Sequence, residues 1–380
     1  MQDRDYMLRA IELAKKGTGF TNPNPLVGAV IVKDNRIIGE GYHEKYGQLH
    51  AERNAIASLT ESAEGATIYV TLEPCCHYGK TPPCTEAIIE NKITKVVIGS
   101  RDPNPLVSGK GAQILREHGI EVIEDFMREE CDSMNEIFFH FITTKTPYCV
   151  MKYAMTADGK IATHTGASKW ITGEVARNKV QHMRHRYAGI MAGIQTVLED
   201  NPMLNVRVDG LTSPVRIICD SRLRISPDCN ICNTADTYRT IIVCSNSKLS
   251  NGSITKDTDI EDQAFGEKVS NLLEKNLEIY NAAGKDERVD LKVLMEYLGS
   301  EKIDSVLIEG GGTLNESALK AGIVNEIKAF VAPKIFGGTN VTTPVQGDGV
   351  ETPDEAYMLE LKNVEYVGED LLLTYLRKEH

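Results

Sequence analysis

Three observations lead to two consecutive α/β domains. The chain has 380 residues, more than one ordinary domain holds. Strand and helix patterns alternate through its first third and then start again near residue 148. Between the two series lies a short polar break, Thr143-Thr144-Lys145-Thr146-Pro147, where a helical pattern stops. We place the boundary there, giving domains of residues 1–146 and 147–380.

In the first domain, Tyr6, Met7, Ala10, Ile11 and Ala14 recur at helical spacing over 4–16, and Gly17 ends the run. LVGAVIV (26–32) and RIIGEGY (36–42) read as strands joined by a Lys33-Asp34-Asn35 turn. His50 opens a helix, AERNAIASL, with Glu52 in its first turn. TIYVTLE (67–73) is a strand with cysteines just beyond its end, and a helix follows from Pro83 to Asn91. KVVIGS (95–100) and IEVIE (120–124) read as further parallel strands around a helix over 109–118. The apolar-periodic stretch 126–142 reads as one long closing helix.

The second domain opens with the strand YCVMKYAMT (148–156). Strand-like runs recur at 189–193, 215–220, 240–245, 277–281, 305–312 and 327–333, with helical patterns over 173–186, 194–199, 290–299 and 313–321. Residues 246–276 are polar and uneven, and read as a loop with one helix near 264–275. No internal repeat links the halves.

Composition limits the function classes. With 41% hydrophobic and 25% charged residues, this is an ordinary globular composition. A formal charge of −12 with no Lys/Arg block argues against binding long nucleic acid, whose affinity comes chiefly from a basic face. No apolar run approaches the roughly 18 residues a membrane span needs, and MQDRDYMLRAIELAKKG reads as an amphipathic helix, not a signal peptide. Nine scattered cysteines, an odd number, fit a reducing cytoplasm better than a disulfide framework. Cys229 and Cys232 form a lone C-x₂-C with no second pair nearby, read here as incidental.

The chemistry concentrates in His50-Ala51-Glu52, Pro74-Cys75-Cys76-His77 and Cys84. One imidazole and two thiolates can hold Zn²⁺ while leaving its fourth position open to water, whose pKa the metal lowers. A carboxylate that does not bind the metal then moves protons between that water and a departing amine, as nucleobase deaminases require; Glu52 is placed for this. A structural zinc knuckle usually supplies four ligands and needs no such acid. The commoner Pro-Cys-x-x-Cys spacing would put a cysteine at 78, where Tyr78 stands. The longer loop instead carries His77 and Lys80, both able to meet an anion. Cys76 leaves open which of two adjacent cysteines binds.

The second domain lacks G-x-G-x-x-G, so a Rossmann dinucleotide site is not expected. SVLIEGGGTLNESALKAG is a strand, three glycines and a helix, a turn that can bring backbone N–H groups to a phosphate. Glycine serves tight turns as readily, so the signal alone is weak.

TNPNPLVGAVIVKDNRIIGEGYHEKYGQLHAER and EPCCHYGKTPPC resemble the deaminase domain of the bifunctional riboflavin-biosynthesis enzymes. KYAMTADGKIAT, GASKWITG, RHRY, IMAGIQTVLEDNPMLNVR and IEGGGTLNESAL resemble the reductase domain of the same enzymes. The resemblance covers roughly residues 1–370. It implies a cytidine-deaminase-like three-layer α/β/α domain followed by a dihydrofolate-reductase-like α/β domain. It implies one zinc, NADPH, a phosphorylated diaminopyrimidinone substrate and a homo-oligomer. The first domain would hydrolyse the 2-amino group, and the second would reduce the ribosyl group to ribityl.

By the same resemblance Asn24 and His43 would touch the deaminase substrate, with His77 and Lys80 near its phosphate arm. Ser168, Arg184, Leu204, Arg207 and Glu309 would contact the reductase substrate, the two arginines suiting phosphate through paired planar hydrogen bonds. Ala154, Trp170, Thr196, Asp200, Ser221 and the turn Gly311, Gly312, Thr313, Leu314, Asn315, Glu316, Ser317 would line the dinucleotide. Plainer readings stand beside these: His43 as a surface hairpin residue, Arg184 on a solvated helix face, Trp170 as a core aromatic. Ser221 and Arg222 follow the strand VRIICD, where they could read a 2′-phosphate, although Asp220 could instead accept from a free ribose hydroxyl. Thr156-Ala157 replaces the Ser-Leu common in that family, keeping a hydroxyl. Two rivals remain: a tRNA or nucleoside deaminase with an unrelated appendage, and a zinc-stabilised nucleotide sensor without activity, in which Glu52 would have no task.

Overall fold

The computed structural model describes residues 2–78, 82–104 and 108–378. The chain divides into two compact units, Met1–Lys145 and Thr146–His380.

In the first unit α1 (Asp3–Lys15) precedes the hairpin β1 (Gly28–Lys33) and β2 (Arg36–Tyr42). Its turn places Asp34 and Asn35 at φ 49° and 60°, a left-handed pair that Asx side chains tolerate. Then come α2 (Ala51–Ala57), β3 (Thr67–Leu72), α3 (Cys84–Glu90), β4 (Lys95–Ser100), α4 (Lys110–Glu117) and β5 (Glu121–Ile123). The sheet order is β2-β1-β3-β4-β5, with β1 antiparallel to both neighbours and β3, β4 and β5 parallel.

The period of two along each strand divides the core into two layers. Ala29 and Ile31 pack with α2, α3 and α4, while Val30 and Val32 pack with α1. Two glycines permit the close approach. A Cβ on Gly28 would sit 1.9 Å from Ala10 O, and one on Gly41 would sit 2.2 Å from Ala55 N. Residues 126–142 do not form one helix. They form α5 (Arg128–Asp132) and α6 (Glu136–Thr144), because buried Asn135 leaves the helical path to bind Leu26 through both backbone groups, at 2.8 and 2.9 Å.

The second unit holds β6 (Tyr148–Thr156), α7 (Glu174–Arg186), β7 (Gly189–Gly193), α8 (Ile194–Asp200), β8 (Val215–Cys219), α9 (Asn230–Asn233), β9 (Thr240–Cys244) and β10 (Gly252–Ile254). It continues with α10 (Gln263–Leu273), β11 (Glu278–Asn281), α11 (Leu291–Ser300), β12 (Ser305–Ile308), α12 (Gly312–Ala321), β13 (Val324–Ala332), β14 (Leu359–Val367) and β15 (Asp370–Arg377). The sheet order is β10-β11-β9-β8-β7-β12-β6-β13-β15-β14. Strands β11 through β13 of that order run parallel, and three antiparallel strands close the two ends. One apolar layer lies under α11 and α12, the other under α8, α9 and α10. The short strand β10 lies inside the segment read as a loop, and the β14–β15 hairpin lies beyond the last strand read from the sequence. No helix among the described residues is long and apolar enough to cross a membrane.

Candidate functional site

His50 is the N-cap of α2, in extended conformation at φ −76°, so the helix starts one residue later and carries Glu52 inward on its first turn. Cys75 lies just past the carboxyl end of β3, where open parallel sheets place their sites. Cys84 opens α3, and its N–H donates to Cys75 Sγ at 3.3 Å, while Thr85 N–H donates to Cys75 O at 3.2 Å. The intervening loop is therefore tied at both ends.

The ligand atoms of His50, Cys75 and Cys84 lie within 4.8 Å of one another. Tetrahedral zinc, with bonds of about 2.3 Å to sulfur and about 2.0 Å to nitrogen, sets a nitrogen and a sulfur ligand roughly 3.5 Å apart. His50 Nδ1 stands 3.5 Å from each sulfur, so the cluster fits zinc without rearrangement. The Cys84 thiol, with His50 and the Cys84 N–H, holds the Cys75 thiol well below its ordinary value, as a metal ligand requires. Cys76 stands outside the cluster, and burial pushes its thiol up. Of the two adjacent cysteines, Cys75 is the one that joins His50 in the cluster.

Glu52 is 3% exposed, and burial, then the charge of Cys75, pushes its carboxyl up to about 7. It lines a cavity of about 350 Å³ with Asn24, His43, His50, Cys75 and His77. His43 is no surface hairpin residue: it is buried, its Nδ1 meets Leu49 O at 3.0 Å and its Nε2 meets Asn24 Nδ2 at 3.1 Å. With Nδ1 donating to the carbonyl, Nε2 accepts from the amide, and burial keeps this ring neutral. His43 thus orients Asn24 and packs edge-on against His50. Lys80 lies outside the described residues.

The cavity also carries groups not singled out from sequence. Asp102 and Asn104 form one wall, joined by an Asn104 N–H bond to Asp102 Oδ1 at 2.8 Å. Burial pushes the Asp102 carboxyl up to about 6. The available signal was position, because Asp102-Pro103-Asn104 follows the carboxyl end of β4. Glu73 accepts from the N–H groups of Gly109 and Ala112, at 3.0 and 3.2 Å, and so fastens the start of α4 beside the cysteine loop. Phe138 and Phe141 of α6 supply an apolar wall.

In the second unit Glu309, just past β12, accepts two bonds from Arg184 at 2.7 and 3.0 Å, and pairs with Lys152 of β6 at 3.0 Å. Burial alone would raise this carboxyl; the charges of Arg184 and then Lys152 outweigh it and hold it well below the usual range. Arg184 therefore does not sit on a solvated face. Its paired fork is also occupied by Glu309, with Nη1 on Asn205 O at 3.0 Å, so it does not present a free fork to phosphate. Arg207 is exposed. Lys152 was missed, although a lysine inside the apolar run CVMKYAM calls for a buried partner.

Leu204 corrects its expected role. At φ 48° its side chain turns into the core under α8 and α9, leaving only its backbone to meet a substrate. The glycine turn after β12 is not built for positive φ, since Gly310, Gly311 and Gly312 are absent from that region. It is built for space: a Cβ on Gly310 would lie 2.5 Å from Leu314 and one on Gly312 2.8 Å from Thr343 O. Gly311 stays open beside Thr196, whose Oγ1 would stand 3.5 Å from an added Cβ. Leu314, Asn315 and Glu316 are buried, with Asn315 Nδ2 donating to Pro344 O at 2.8 Å. Thr313 is exposed and Ser317 partly so.

Trp170 is 61% exposed, with the Arg177 guanidinium 4.5 Å over its ring, so it is not a core aromatic. Ser168 is partly exposed, and Asp200 lies 3.9 Å from Lys169 Nζ. Ala154 lies on β6 opposite Phe330 of β13. Ser221 Oγ accepts from Val289 N–H at 3.3 Å. Asp220 is fully buried and its Oδ2 accepts from Ile225 N–H at 2.7 Å, while its Oδ1 has no hydrogen-bond partner.

Residues 147–373 match the RibD C-terminal domain, and residues 1–100 match the cytidine and deoxycytidylate deaminase zinc-binding region. The chain is 53% identical to riboflavin biosynthesis protein RibD of Actinobacillus pleuropneumoniae, over 99% of this chain and 96% of that one. It resembles the solved structure of Acinetobacter baumannii RibD with TM-score 0.85, 36% identity and 99% coverage of both chains. It also resembles the Thermotoga maritima diaminohydroxyphosphoribosylaminopyrimidine deaminase/5-amino-6-(5-phosphoribosylamino)uracil reductase, with TM-score 0.83, 39% identity and 98% coverage of both. The architecture is accordingly a cytidine-deaminase-type domain followed by a dihydrofolate-reductase-like one. With an open three-ligand zinc cluster in the first unit and an ion triad beside a glycine turn in the second, the chain belongs to the RibD family of bifunctional deaminase/reductases of riboflavin biosynthesis.

Proposed function

We propose that this chain deaminates 2,5-diamino-6-(5-phosphoribosylamino)pyrimidin-4(3H)-one and then reduces the ribosyl group, giving 5-amino-6-(5-phosphoribitylamino)uracil. Residues 1–146 act as the deaminase domain and residues 147–380 as the reductase domain. The observation that carries the reading is the His50, Cys75 and Cys84 cluster facing buried Glu52 inside one cavity. Zinc, when bound, is a Lewis acid that lowers the pKa of water. Glu52 takes the proton of the attacking water and delivers it to the leaving amine. Asn24, held by His43, orients the pyrimidine, and Asp102 and Asn104 meet its polar edge. His77 and Lys80 serve the phosphate arm.

In the reductase domain Lys152, Glu309 and Arg184 form a fixed polar floor for the opened sugar, and Ser168, Arg207 and the Leu204 backbone complete the substrate contacts. Ala154, Trp170, Thr196, Asp200, Ser221 and the 311–317 turn hold the dinucleotide. The open Gly311 and the exposed indole fit NADPH, which supplies the hydride when bound. The protein works in the cytoplasm, in keeping with its odd, scattered cysteines, and without nucleic acid, in keeping with its charge of −12. It assembles as a homo-oligomer; the exposed apolar side chains of Leu361, Val364 and Tyr366 on β14, the last of them 82% exposed, support this.

The test follows ammonia release and NADPH oxidation separately on purified full-length protein. Ammonia appears without NADPH, and NADPH is consumed only on the deaminated product. Turnover of tRNA with none on the pyrimidine phosphate would return the rival deaminase. The ligand set is checked by metal content: Cys75→Ser and Cys84→Ser lose zinc, whereas Cys76→Ser retains it. Zinc kept in Cys75→Ser and lost in Cys76→Ser overturns the assignment.

Cofactor choice has its own test. Arg222 is exposed and pairs weakly with Glu287, at 3.3 Å, so it is free to exchange that partner for a 2′-phosphate. Ser221→Ala/Arg222→Ala is expected to lower the kcat/KM preference for NADPH over NADH about tenfold or more, the worth of hydrogen bonds to a charged group. An unchanged ratio places the 2′-phosphate elsewhere.

A further inference from the structure

Cys229 and Cys232 are drawn together in the apolar layer under α8, α9 and α10 of the second unit. Cys229 caps α9 and Cys232 lies within it, and their sulfurs stand 3.5 Å apart. Closing that gap to the roughly 2.05 Å of a disulfide needs only a small side-chain rotation, because a C-x₂-C pair on one turn already meets the Cα spacing. Cys229 is the outer of the two, flanked by exposed Asp228 and Asn230, and Cys232 is the inner.

The second observation is Arg216. It is 0% exposed, yet no carboxylate among the described residues forms an ion pair with it. Its guanidinium donates to five neutral acceptors: Thr240 Oγ1 at 2.9 Å, Thr234 Oγ1 at 2.8 Å, and the carbonyls of Met203, Ile231 and Tyr238 at 3.3, 2.9 and 3.2 Å. Ile231 lies between the two cysteines. A buried cation without a counter-anion is costly, and the groups beside it that can become anionic are the thiols of Cys232 and Cys229 and the phenol of Tyr238, whose ring lies 5.2 Å from the guanidinium. Burial pulls Arg216 down to about 10, and Cys232, Cys229 and Tyr238 push it back. The Cys232 thiol, backbone N–H groups and Arg216 in turn hold Cys229 below its ordinary value.

We propose that Cys229 and Cys232 form a reversible dithiol/disulfide site that reacts with low-molecular-weight disulfides, with the buried Arg216 guanidinium anchored on the Ile231 carbonyl between them. The Cys229 thiolate attacks one sulfur of a disulfide RSSR, forming a mixed disulfide and releasing RS⁻. Cys232 loses its proton to solvent and attacks the Cys229 sulfur, expelling the second RS⁻. Two protein thiols are oxidised by two electrons in total, and RSSR is reduced to two RSH.

The test uses zinc-loaded full-length protein in mixtures of oxidised and reduced glutathione, quenched with acid, alkylated and mapped by mass spectrometry. The peptide carrying both cysteines is expected to lose two hydrogens in oxidising mixtures and regain them with dithiothreitol. Cys232→Ser accumulates one glutathione on Cys229, and Cys229→Ser leaves Cys232 reduced. In the parent, alkylation of Cys229 reaches half its maximal rate below the free-thiol value of about 8.5. Both thiols alkylated in every mixture, oxidation seen only in urea, or half-maximal alkylation at or above the free-thiol value overturns the proposal.

Discussion

Glu52→Gln is expected to keep its zinc and lose about 10²- to 10⁴-fold of its ammonia release, the usual contribution of a positioned acid/base. Glutamine has the size of glutamate and no proton to give at this pH. The side chain is not among the ligand atoms, so the cluster stays whole. Burial holds the Glu52 carboxyl up to about 7 in the chain by itself, so exchanging it for a neutral amide leaves no buried charge behind. A bound cation draws that value down again, favouring the carboxylate that accepts a proton from water. NADPH oxidation on the deaminated substrate should match the parent, which separates a chemical defect from misfolding. Ammonia release near the parental rate would remove Glu52 from the reaction.

Glu309→Gln should act on the other half, and on stability as well as activity. It strips the carboxylate from two nearly buried cations, Arg184 and Lys152, whose side chains are 12% and 14% exposed. Removing one partner of a buried ion pair costs about 3–5 kcal/mol, or a drop of roughly 10 °C in the unfolding midpoint of a unit of this size. NADPH oxidation should be lost, because Lys152 and Arg184 no longer hold one geometry, while zinc content and ammonia release persist. The pH sign follows from the depressed carboxyl. The triad's stabilisation is complete above the unfolded carboxylate value of about 4.3 and fades only as strong acid approaches the folded value. The parent should therefore keep its reductase transition through mild acid. An unshifted midpoint together with full NADPH oxidation in Glu309→Gln would show that the triad neither supports the unit nor serves the reaction.

Legibility differed by element. Parallel strands buried on both faces, such as KVVIGS and VRIICD, announce themselves as apolar runs, and all of those read from the sequence are strands. The β14–β15 hairpin escaped because edge strand LELKNVEYV leaves charged and apolar residues alike in the open, so its pattern marks no buried face. The 126–142 stretch kept an unbroken helical period, and nothing in that period shows that Asn135 will leave it to bind Leu26. That break aims Phe138 and Phe141 at the deaminase cavity.

The residues of the zinc cluster and its acid were written in the chain, because metal chemistry fixes ligand type and number and the helix start fixes the place of Glu52 relative to His50. Two α/β units and the break between them were equally legible, since hydrophobic period and turn residues are local properties. Direction was not. Whether Cys75 or Cys76 faces His50, whether Arg184 offers its fork to solvent or to Glu309, and whether Asp220 points out or in depend on partners 25 to 125 residues away or on a turn that closes over the side chain. Burial charges a polar group for every bond it fails to make, and the sequence names the groups while only the packed sheet supplies, or withholds, their partners.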